Sequence, residues 1–141
     1  MSWHQTDHVD EMTFVNVCLW RRDISCMLSY KKLDVYRCAI ELLALIADVL
    51  HTLAKSKGNS TISEQLKGAG FSIPLNIAEG TGRSTVPDQT KHYVIARGSA
   101  MECGAIFDVL LALRLIDDPR ATKADELVER LVAMLTKMCH F

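Results

Sequence analysis

Glycine and proline are scarce in this chain, at seven and three residues among 141. Sandwiches and barrels of short strands need turn formers about every ten residues, so the scarcity points to a few long elements. Long apolar runs are missing too. No stretch approaches the roughly 18 apolar residues of a membrane span, and no contact with a membrane is expected. The opening MSWHQTDHVDEMTF is acidic and has no apolar segment, which argues against a secretory signal and for a cytoplasmic protein. Charge of one sign is missing as well. The formal net charge is −1, so whole-chain electrostatics give no pull toward nucleic acid.

Paired cysteines are the last absence. The five, Cys18, Cys26, Cys38, Cys103 and Cys139, are odd in number and nowhere spaced C-x-x-C. That pattern fits reduced thiols in a cytosol better than a disulfide framework or a zinc site. Cys38 and Cys103 fall inside apolar helical patterns and are expected to pack as small hydrophobes. His4 and His8 are one helical turn apart, but no further ligand residues accompany them. Neither a metal nor a cofactor is expected.

What is present is helical periodicity. From Lys31 to Lys57, the residues Leu33, Tyr36, Ile40, Leu43, Ala47, Leu50 and Ala54 step by three and four without a breaker. A second stripe, Val35, Ala39, Leu42, Ile46, Val49 and Leu53, runs beside it. One stripe packs a helix into its own bundle; two imply burial on both sides, at the centre of a fold or at a subunit interface. Gly58 is the expected stop. Ser60 or Thr61 then caps a second helix to about Glu79, in which Pro74 removes a backbone hydrogen bond and kinks the chain. Gly80 and Gly82 close it. Ser84 or Thr85 caps a third helix, with Pro87 in its first turn, running to about Ile116. A fourth starts near Asp118 or Thr122 and carries Ala124, Leu127, Leu131, Met134 and Met138. Short links between long helices make neighbours antiparallel, so the fold expected is all-α, an up-down-up-down four-helix bundle. Residues 1–26 sustain neither period: either the true start is Met27, or the segment is an extension that packs on the bundle domain, taken as 27–141.

A polar set cuts across the apolar pattern. Gln65, Ser72, Asn76 and Glu79 share one side of the second helix. On the third, Ser99 and Glu102 interrupt the row Ile95, Ile106, Val109, Leu113, Ile116, and Arg97 lies just off it. A hairpin around Gly80–Thr85 brings the two sets level, with Arg83 at its corner. Mutually satisfied, they form a seam that fixes helix register, with Asn76 and Glu102 buried and bonded. The functional alternative is an active site of Glu79, Glu102, Arg83 and Arg97. No nucleophile with its base is visible, and Glu-x-x-His occurs on no helix. The glycines after Glu79 follow a helix rather than a strand and lack Gly-Lys-Ser/Thr, so they are no phosphate loop. No catalytic residue is assigned.

The block SIPLNIAEGTGR, Ser72 to Arg83, followed after eleven residues by IARGSAME, resembles the bacterial family of 23S rRNA intervening-sequence proteins. The matching positions are Ser72, Ile73, Pro74, Asn76, Ile77, Ala78, Glu79, Gly80, Gly82 and Arg83, then Ala96, Arg97, Gly98, Ser99 and Glu102. YKKLDVYRCAIEL is similar to the family's opening helix, so the likeness covers about Tyr30 to Met138. It implies a left-handed up-down bundle assembling as a ring-shaped homopentamer, without established catalytic activity. It also implies kinship with the accessory variability determinant of diversity-generating retroelements, which binds nucleic acid and a reverse transcriptase through a basic surface. This chain departs from the pattern between Gln65 and Ser72, where LKGAGF keeps a single basic residue, Lys67.

Two classes of function follow. The first is a non-enzymatic oligomeric bundle associated with RNA or a ribonucleoprotein, with reverse transcriptase as a further partner class. Its candidate nucleic-acid contacts are Lys31, Lys32 and Arg37 near one end of the first helix and Lys55, Lys57 and Lys67 near the other. Repetition around a ring would multiply each cluster. The second is a homo-oligomeric scaffold or small-ligand binder that uses the seam or a central channel. A helical-bundle RNase would need an Arg and a His four to six apart on one helix; Arg130 and His140 are too far apart, as are Arg83 and His92, and this class is discounted.

Overall fold

The computed structural model describes residues 28–139. A 3-10 turn, Ser29–Lys32, precedes four helices: α1 (Asp34–Leu53), α2 (Ser60–Thr81), α3 (Val86–Ala112) and α4 (Asp118–Met138). Each packs on its neighbours in the chain, and α4 closes back onto α1, so α1 and α3 stand diagonally apart. No strand occurs among the described residues. The up-down-up-down bundle is the fold that the periodicity predicts.

The second stripe of α1 is the one in the core. Val35, Ala39, Leu42, Ile46, Val49 and Leu53 are all buried. They meet Leu66, Ile73 and Ile77 of α2, Phe107 and Leu110 of α3, and Leu127, Leu131 and Leu135 of α4. At α1 the sequence reading overruns. Leu33, extended at ψ 130°, separates the 3-10 turn from α1, and α1 stops at Leu53 rather than Lys57. Leu53 is the last residue of the buried stripe, and Ala54 to Lys57 are exposed. A good helical sequence without tertiary burial is too weak to continue alone. Gly58 then turns the chain at φ +93°, a conformation costly to a residue with a β-carbon.

Caps differ in quality. Asn59, not Ser60 or Thr61, precedes α2, and its side chain makes no capping bond. Thr85 does cap α3, accepting from the Asp88 N–H, and Asp117 caps α4, accepting from the Arg120 N–H. α2 is helical throughout, with Pro74 buried inside it. α3 ends at Ala112 instead of Ile116, because Arg114 takes φ +57°. The Leu115 N–H reaches the Leu110 carbonyl and the Arg114 N–H the Leu111 carbonyl, the pair of bonds that closes a Schellman motif.

The core face of α3 is a second correction. Tyr93, Ala96, Ala100, Cys103, Phe107 and Leu110 point inward. Of the expected row, Ile106 and Ile116 are buried, whereas Ile95, Val109 and Leu113 are 43%, 46% and 61% exposed. Small residues at three-and-four spacing face the core because α3 runs close to both neighbours. A β-carbon on Gly104 would lie 3.3 Å from Val128 of α4, and one on Gly80 of α2 would lie 2.7 Å from the Tyr93 ring. Polar ties sit outside. Arg120 Nε donates to Asp48 of α1 at 2.8 Å, and its Nη1 donates to Asp117 at 3.0 Å. The Asp48 hydrogen bond and then the charges of Asp48 and Asp117 raise the guanidinium pKa further.

Candidate functional site

The α2–α3 hairpin assembles most of the polar set. Ser99 Oγ donates to Ser72 Oγ at 2.7 Å. Asn76 Nδ2 donates to the Ser72 carbonyl at 2.9 Å and lies 3.2 Å from its hydroxyl. That leaves Asn76 Oδ1 facing His92 Nδ1 at 3.1 Å. An amide oxygen only accepts, so the network assigns the proton to Nδ1. His92 Nε2 then faces Glu79 Oε1 at 3.7 Å, and Arg83 donates to the same carboxylate oxygen. Gln89 closes the corner by donating to the Arg83 carbonyl at 2.8 Å. Hydrogen bonds thus link Ser99, Ser72, Asn76 and His92, and a separate Arg83–Glu79 ion pair lies beside the His92 ring.

His92 is the residue that sequence reasoning left out of the seam. It stands seven positions before Ser99, two helical turns along the same side of α3, and that spacing was the available signal. Three expected members behave otherwise. Gln65 and Glu102 are exposed, and Arg97 lies against α4, where Nη1 donates to Thr136 Oγ1 at 3.4 Å. Glu102 is therefore not buried and bonded as the seam required. The inward rotation of the Ala96–Cys103 face turns it to solvent. Asn76 is bonded but only half buried, and no polar residue among those described is fully buried.

Chemically the seam is closed on itself. Its hydroxyls bond each other and the asparagine, and the imidazole bonds the asparagine rather than either serine. A nucleophile poised beside its base has a different geometry. Among the described residues no group of three or more His, Cys, Asp or Glu is placed to hold a metal. Cys38, Cys103 and Cys139 are buried free thiols. Burial, and then the charge of Glu102, pushes the Cys103 thiol up to about 12; burial also raises Cys38 and Cys139. Cys18, Cys26, His4 and His8 lie outside the described residues.

The other stripe of α1 forms a second feature. Ile40 is 42% exposed, and Leu43 and Leu50 are half buried. With Ala47 and with Phe71 of α2, which is 45% exposed, Leu43 and Leu50 line an apolar groove of about 300 Å³. Lys67 is its charged lining residue. The other candidate nucleic-acid contacts sit at the two ends of α1, roughly 30 Å apart at 1.5 Å per residue. Lys31 and Lys32 are exposed in the 3-10 turn, and Lys55 and Lys57 are exposed in the link to α2. Arg37 is engaged with Asp34 at 3.6 Å. Beside the second group a cleft of about 450 Å³ opens between Leu53, Ser56, Gly58 and Ser63. The Nδ2 of Asn59, another lining residue, is buried there without a partner. No described helix is long and apolar enough to cross a membrane.

The family model for 23S rRNA-intervening sequence protein matches residues 31–137. The chain belongs to this family. The matched span takes in the whole seam and all four helices except the last residue of α4. Among solved structures, the chain is similar to a protein of unknown function from the S23 ribosomal protein family of Bacteroides thetaiotaomicron VPI-5482. The two are 19% identical with a TM-score of 0.71, over 76% of this chain and 99% of the other. At that identity the likeness shows a shared fold. No match is found among curated proteins.

Proposed function

We propose that this protein is a non-enzymatic homo-oligomer, a ring-shaped pentamer of four-helix bundles, acting as an accessory factor associated with RNA or a ribonucleoprotein. The observation that carries the reading is the outer stripe of α1. Leu43, Ala47 and Leu50 run alongside the buried stripe and share one groove with Phe71, and Ile40 is exposed on the same stripe. A contiguous apolar face on a small soluble protein marks an interaction surface. Its self-association fits an exposed face built on a helix that also belongs to the core. The seam has a supporting role, holding α2 and α3 in one register so that the groove keeps its shape.

The RNA part of the proposal rests on the family and on the lysines. In a ring, Lys31 and Lys32 recur at one rim and Lys55 and Lys57 at the other, so sparse pairs become circles of charge. Binding through them is sequence-tolerant and weakens steeply with salt as counterions are released. The test is titration of a structured RNA at low salt with the full chain and with a variant in which those four lysines become glutamate. The variant loses binding and keeps the mass of the assembly. Lys67 is left intact because it lines the groove. A reverse transcriptase is the protein partner that the kinship implies. The cleft with the unpartnered Asn59 amide favours the second reading, a homo-oligomeric scaffold or small-ligand binder. Absence of any RNA complex at low salt would put that reading first.

A further inference from the structure

The α1/α2 groove has a counterpart across the bundle. On α3, Val94 (37% exposed), Met101 (59%) and Val109 (46%) repeat at seven and eight residues, which aligns them on one side of the helix. Gly98 and Ala105 lie between them and are exposed; a β-carbon on Gly98 would meet nothing within 4 Å. Three large side chains therefore stand out as knobs over small neighbours. α3 packs on α2 and α4 and is diagonal to α1, so its knobs face away from the groove. A two-fold dimer would bury one of these faces against itself and leave the other in water. A head-to-tail contact uses both.

Charge agrees with that pairing. Lys67 is the charged residue lining the groove, and Glu102 is exposed beside Met101. Neither has an ion-pair partner among the described residues. Opposite charges at Lys67 and Glu102, on two unlike apolar faces, favour the head-to-tail orientation over a like-to-like one. We propose that copies of this chain associate head to tail. The α3 knobs of one sit in the α1/α2 groove of the next, with Glu102 of the first against Lys67 of the second. This rests on the oligomeric reading above and specifies its contact.

Two variants of the full chain separate the faces. Phe71→Asp disables the groove and Met101→Asp disables the knobs. Both side chains are largely outside the core, and circular dichroism checks that helix is retained. Should either lose helix, Ala47→Arg and Val109→Arg make the same test at other exposed positions. Each variant alone runs at the monomer mass of 15.8 kDa. Mixed, they form a one-to-one pair that grows no further, because one good groove meets one good set of knobs. Assembly of either variant alone would overturn the pairing, as would a mixture that stays monomeric while the unmodified chain assembles. A monomeric unmodified chain would overturn the oligomeric reading itself. Lys67→Glu and Glu102→Lys each weaken assembly several-fold, and the double reversal restores it. Failure of that rescue would remove the Lys67–Glu102 contact from the proposal.

Discussion

At Gly80 the two middle helices approach more closely than a β-carbon allows. An added methyl would sit 2.7 Å from the Tyr93 ring and 3.0 Å from His92 Cβ. Gly80→Ala is expected to cost about 1–3 kcal/mol through overpacking, measured by urea unfolding. Gly68→Ala, where nothing lies within 4 Å, should instead stabilise the helix interior by about 0.5–1 kcal/mol. The seam allows a similar contrast. Asn76→Leu strips His92 and Ser72 of a partner and should cost about 1–3 kcal/mol. Glu102→Leu should change protomer stability by less than about 0.5 kcal/mol, because the carboxylate is exposed. The Cys103 thiol, held up to about 12 from 9.0, keeps its proton in the native state when the unfolded chain has begun to release it. The unfolded state then binds fewer protons, so stability falls as pH rises above about 9. Unfolding midpoints at neutral and alkaline pH should show that fall, and Cys103→Ala should reduce it.

Among the elements, the helix starts are unequal. Asp117 makes a capping bond of 3.1 Å and Thr85 one of 3.4 Å, whereas the start of α2 has no side-chain cap. Asp117→Ala should cost about 1 kcal/mol by thermal unfolding, Thr85→Ala less, and Ser60→Ala almost nothing. The sequence shows α1 almost completely: both stripes are visible in it, and the buried one has the large β-branched and leucine side chains. α3 misleads because two rows run at helical spacing. In the row richer in large aliphatics, Ile95, Val109 and Leu113 face outward, while Ala96, Ala100 and Cys103 face the core. Size was the cue that failed, since a helix packed tightly on two neighbours selects small residues. His92 was missed for a related reason. Its partners Asn76 and Glu79 are on another helix, and only the hairpin's register brings them within reach. The glycines after Glu79 were legible as a helix end, but Gly80 proved to be a packing position inside α2, and Gly82 ends the helix at φ −82°.

For the molecule as a whole, the double block around Ser72–Arg83 and Ala96–Glu102 pointed to the family, and the match over residues 31–137 shows it. For the first block and Ser99 the reason for the grouping is physical. Ser72, Asn76, Glu79 and Arg83 meet Ser99 and His92 across a single helix pair, and Gly80 lets that pair close. The seam fixes the bundle; the exposed apolar faces are what remain to be used. If those faces bind one another, the mass of the protein in solution reports it. Light scattering of the full chain at micromolar concentration should give a single species of about five times the 15.8 kDa protomer. A monodisperse species at 15.8 kDa would contradict the account, because the α1 stripe and the α3 knobs would then be ordinary surface.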